Sequence, residues 1–99
     1  MVVGMLHVDM HVPSARSLKE KRAVLRSLKD QLRGHFNIAV AEVDPNDTWQ
    51  RATVGICAVG NERDYVAGLL QDVAQWLRAT RLVGLMRTEE EYLEVPSST

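Results

Sequence analysis

The sequence predicts an α+β sandwich, an antiparallel four-stranded sheet carrying two helices on one face. Three observations lead there. Apolar residues alternate at the head of the chain, apolar stripes at helical spacing recur twice, and a cluster of turn residues divides two strand-like runs in the middle. With 99 residues, 45% of them hydrophobic, the chain can fill one two-layer core and not two. Residues 1–95 are therefore expected as a single domain and 96–99 as a flexible tail.

Each element has a local cause. Val2, Leu6, Val8, Met10 and Val12 share one parity and His7, Asp9 and His11 the other, the mark of a half-buried strand that Pro13 ends. Ser17, with Glu20 three residues on, forms a capping box and sets a helix start at Leu18. Leu18, Leu25, Leu28 and Leu32 lay one stripe of that helix toward a core, and Gly34 is expected to end it. A second strand is expected from Phe36 to about Asp44 and a third from Trp49 to about Val59, joined through Pro45, Asn46 and Asp47. With Asp44 opposite Trp49, Glu42 would face Arg51 and Val40 would face Thr53. In that register Ile38, Val40, Trp49, Cys57 and Val59 share a face suited to a second subunit. Asn61 is expected to cap a second helix, whose Val66, Leu69, Leu70, Val73 and Leu77 form its inward stripe; Trp76, one step beside that stripe, is expected at the core edge. A last strand falls within 82–95, with Gly84 marking a bulge. Two right-handed βαβ crossovers sharing one sheet make this the ferredoxin-like βαββαβ arrangement, which leaves one sheet face open.

Charge is unevenly placed. The chain as a whole is near neutral, at -1, so any attraction to a polyanion must come from local clustering. Between Ser14 and Phe36 stand seven cations, Arg16, Lys19, Lys21, Arg22, Arg26, Lys29 and Arg33, against Glu20 and Asp30. Lys19, Arg22, Arg26, Lys29 and Arg33 recur every three or four residues, a basic stripe beside the leucine stripe. Like charges at these spacings repel by a few tenths of a kcal/mol per pair, a cost that an RNA phosphate backbone would relieve. These five cations, flanked by Lys21 and Arg16, are the candidate nucleic-acid-binding residues. The competing readings are a solvated helix face, softened by Arg16–Glu20 and Arg26–Asp30 pairs, and a contact between this stripe and the acidic run Glu89, Glu90, Glu91 and Glu94 of a neighbouring subunit.

An enzyme reading centres on His7, Asp9 and His11, as a metal site or an acid/base set. A strand rises ~3.3 Å per residue, which spreads the ends of this set ~13 Å apart, too far for one ion. An open-sheet or interface role fits better. No catalytic residue, metal or cofactor is expected. Cys57, with no neighbour that would lower its pKa, reads as a small hydrophobe. Trp49 is left between a packing role and a base-stacking one, since the paired aromatics of an RNA-recognition motif are absent. Phosphate-loop, dinucleotide, nucleophile-elbow and zinc-protease motifs do not occur. Neither a membrane-spanning run nor a signal peptide is read, so a cytoplasmic protein with no membrane contact is expected.

The run Ser-Leu-Lys-Glu-Lys-Arg at 17–22, then Phe36-Asn37, Val40-Ala41-Glu42-Val43-Asp44 and Trp49-Gln50-Arg51-Ala52, resembles the YlxP-like family of small bacterial proteins of unknown function. The likeness runs from about Val3 to Leu93. It implies a ferredoxin-like fold and no settled activity. Genes of such proteins often neighbour those for translation initiation factor two and ribosome-binding factor A, which associates the family with ribosomes. The expectation is a non-enzymatic, homodimeric domain whose basic stripe meets RNA or a ribosomal surface; the alternatives are a small enzyme built on the first-strand His/Asp set and a purely protein–protein dimeric module.

Overall fold

The alternation at the head of the chain becomes β1 (Val2–His11), with Val2, Leu6, Val8 and Met10 buried and the intervening side chains half-buried on the other face. The computed structural model describes residues 1–96 and continues through α1 (Leu18–His35), β2 (Ala39–Glu42), β3 (Arg51–Gly60), α2 (Arg63–Ala79) and β4 (Gly84–Glu94). The strands form one sheet in the order β2-β3-β1-β4, every neighbour antiparallel, with both helices packed on it: the ferredoxin-like α+β fold. Leu6, Met10, Leu28, Leu32, Ile56, Leu70 and Leu77 are its largest fully buried side chains, each stabilising the sandwich by about 1.5–3 kcal/mol. No helix of the described residues is long and apolar enough to cross a membrane. Of the expected tail, Pro96 is exposed, and residues 97–99 lie outside the described residues.

Helix ends follow the expected chemistry with small shifts. The Ser17 hydroxyl accepts the Glu20 amide at 3.1 Å, capping α1 at Leu18. The Glu20 carboxylate accepts the Arg16 amide at 2.6 Å, one residue outside the reciprocal box. α1 does not stop at Gly34. It runs on to His35, because Gly34 keeps negative φ and the Phe36 amide, in extended backbone, donates back to Leu32 O at 2.9 Å. α2 is capped by Glu62 in place of Asn61, without a side-chain bond, and Asp64 lies in its first turn.

The central hairpin departs most from expectation. β2 is shorter than Phe36–Asp44, and Val40 pairs with Ile56 and Glu42 with Val54, a slip of three residues. An odd slip exchanges the faces. Val40, 5% exposed, therefore points into the core, the expected Glu42–Arg51 pair is not formed, and the face of Ile38, Val40, Trp49, Cys57 and Val59 is dissolved. Burying Val40 beside Ile56 requires a long connection, so residues 43–50 form a loop, with Asp44 at φ 49. The bulge in β4 is likewise displaced. Asp9 pairs with Arg87 and Met10 with Leu85, leaving Met86 as the extra residue, while Gly84 lies opposite His11.

Candidate nucleic-acid interface

α1 turns Lys21, Leu25, Leu28 and Leu32 to the sheet, which sets the basic stripe on its flank. Lys19, Arg22, Arg26 and Arg33 are exposed and Lys29 is half-buried. The flank faces the β2 edge: the Arg33 guanidinium donates to Val40 O at 2.9 Å, and Arg22 shares a hollow with Glu42, Pro45 and Asp47. The expected softening pairs are replaced. Glu20 is taken by a backbone amide, and Asp30 lies 3.9 Å from Arg33, not against Arg26. The acidic run is on β4, at the far edge of the sheet, where Glu89 pairs with Arg87 and Glu90 accepts from the Tyr92 hydroxyl at 2.9 Å. Arg16, the other flanking cation, is exposed just before α1.

Lys21 does not join the stripe. It is 3% exposed, and its ammonium donates to Thr48 O at 2.8 Å, Asn46 O at 3.2 Å and Asn46 Oδ1 at 3.3 Å. A charge so enclosed by loop oxygens is out of reach of a phosphate and instead ties residues 46–48 to α1.

The open sheet face carries the first-strand set, which does not converge. His7 Nε2 lies 3.3 Å from Asp44 Oδ2, while Asp9 accepts from the Thr53 hydroxyl at 2.7 Å and His11 is exposed at the strand end. Among the described residues no group of three His, Cys, Asp or Glu could hold a metal ion. His7, Asp44, Cys57, Glu89 and Glu91 line a groove of about 380 Å³ across this face. Gly55, opposite His7, keeps its floor low, since a Cβ there would stand 3.2 Å from Val43 Cγ1. Beyond the groove the face stays apolar, because Val3 pairs with both Val59 and Leu93, which are 57% and 55% exposed.

Tyr92 points to the helix side, its ring 4.4 Å from the Arg63 guanidinium. Burial, reinforced by its bond to the Glu90 carboxylate, raises its phenol above the ordinary 10.0, against the pull of Arg63. Trp76 packs against the core from its margin, 5.6 Å from the His35 ring.

A small ferredoxin-like domain with a basic helix flank and an open sheet face is thereby defined, and its sequence places it in a family: residues 3–90 match the model described as "Protein of unknown function (DUF503)", to which the chain belongs. It is 36% identical over 76 residues to the "Uncharacterized protein YlxP" of Bacillus subtilis (strain 168), covering 77% of this chain and 83% of that protein.

Proposed function

We propose that the protein is a non-enzymatic binding domain that docks on RNA, its phosphates running along the α1 flank over Lys19, Arg22, Arg26, Lys29 and Arg33, with Arg16 beside them. The observation that carries this reading is the placement of charge: Lys19, Arg22, Arg26 and Arg33 are exposed along one helix whose Arg33 reaches the β2 edge, while Glu89, Glu90, Glu91 and Glu94 stand on β4 at the opposite edge. Phosphate recognition by such a stripe is independent of base sequence and releases counterions, so affinity falls steeply with salt. Binding of labelled RNA across a salt series, with the parent and with Arg22→Glu/Arg26→Glu, tests it. Loss of two phosphate contacts lowers the log–log salt slope by about 1.4 on a single strand. Affinity that ignores salt, or is unchanged in the double variant, refutes it.

A second reading is favoured by the Val59–Val3–Leu93 row and concerns assembly. The open face pairs with that of a second copy. Strand spacing and rise give it an area on the order of 500 Å². A pair would then bury about 1,000 Å², at the lower edge of specific interfaces. Nothing in this arrangement competes with α1 for RNA, because the face and the helices lie on opposite sides of the sheet.

A further inference from the structure

We propose that Trp49 is a base-stacking platform and that the RNA taken by the α1 flank is single-stranded. The inference rests on the RNA reading above and specifies the form of RNA. Trp49 is 51% exposed in the 43–50 loop, and the loop is built to hold it there. The carbonyl before it, Thr48 O, accepts from the Lys21 ammonium at 2.8 Å; the carbonyl after it, Gln50 O, accepts from the Val12 amide at 2.8 Å. The Thr48 amide donates to Asn46 Oδ1 at 2.9 Å. A large aromatic ring is thus presented to solvent from a backbone fixed on both sides, and the buried lysine that fixes it belongs to the helix that carries the basic stripe.

The loop that carries the ring also reaches that stripe. Trp49 lines a shallow hollow with Asp47, Thr48 and Gln50, and Asp47 lines in turn the hollow that contains Arg22. Arg51 opens β3 two residues after the tryptophan and is exposed. Acids share this end of the molecule too. Glu20 is bonded to the Arg16 amide, Asp44 to His7 and Asp9 to the Thr53 hydroxyl, whereas Glu42 and Asp47 line the hollow that contains Arg22. A strand whose phosphates follow Arg26, Arg22 and Lys19 brings its next nucleotides to the tryptophan. Only unpaired bases offer a free face to stack on an aromatic ring, since a duplex keeps those faces inside its own stack.

The test is fluorescence anisotropy with a short single-stranded RNA of mixed sequence and with the duplex made from it, using the parent, Trp49→Ala, Trp49→Phe and Asp47→Asn, each checked for native circular dichroism. The parent is expected to prefer the single strand. Trp49→Ala weakens single-strand binding by about ten-fold or more with the salt slope unchanged, Trp49→Phe retains most of it, and Asp47→Asn tightens it. Equal affinity for duplex and single strand, or full single-strand affinity in Trp49→Ala, overturns the stacking role while leaving the phosphate reading intact. No salt-dependent RNA binding by the parent overturns both. Loss of self-association in Trp49→Ala would identify the ring as a protein contact and also overturn it.

Discussion

Lys21 shows how one side chain can be misread by type and read correctly by position. It lies four residues before Leu25, on the leucine stripe itself, and so faces inward with Leu25, Leu28 and Leu32. That placement was available in the sequence. Its partners were not, because the Asn46 and Thr48 oxygens come from a loop more than twenty residues away whose path depends on strand register. Hydrogen bonds from a charged donor contribute more than neutral ones, and removing the ammonium takes all three of them from the loop. Lys21→Met is therefore expected to destabilise the protein by about 1–3 kcal/mol in denaturant titrations and to speed amide exchange across residues 43–50. Unchanged stability and exchange would show that the ammonium does not hold the loop.

Among the elements, β1, α1 and α2 were legible because each buries a stripe whose period is written in its own residues. The β2–β3 hairpin was legible as a pairing but not in its register, since the short strand Ala39–Glu42 fits either face until Val40 meets Ile56, a pairing that no local signal records. The same limit hid the tie between Lys21 of α1 and the oxygens of Asn46 and Thr48 in the loop before Trp49. Packing of α2 on β1 depends on one small residue. A Cβ on Gly4 would stand 2.5 Å from Val66 Cγ1 and 2.8 Å from Leu70 Cδ1, and both of those side chains are fully buried. Gly4→Ala must push α2 outward, at an expected cost of about 1–3 kcal/mol seen as a lower denaturant midpoint. A midpoint equal to the parent's would mean that α2 yields without strain.

For the whole molecule, the two faces of the sheet differ in what covers them. The helices fill one, and the other runs from the groove at His7, apolar in most of its lining, to the apolar row of Val3, Val59 and Leu93. Of the apolar face expected from the sequence, Cys57 and Val59 remain exposed together on the open side, and the β1–β4 register adds Val3 and Leu93 to it, a pairing that no local signal records. Placing a charge in that row should prevent pairing. Leu93→Lys is expected to convert a dimer to a monomer in sedimentation experiments, raising the dimer dissociation constant by more than ~10-fold. A parent that sediments as a monomer would remove the paired assembly altogether.

The displaced residue in β4 bears on how such pairing ends. An unpaired Met86 interrupts the outer ladder, and the glutamates that follow add repulsion between like strands. At the other margin, β2 is only four residues long and Arg33 occupies one of its carbonyls. Both rims thus resist the addition of a further strand, so copies that meet can do so through their flat surfaces and close as a finite pair, where two bare rims would have permitted growth into a fibre.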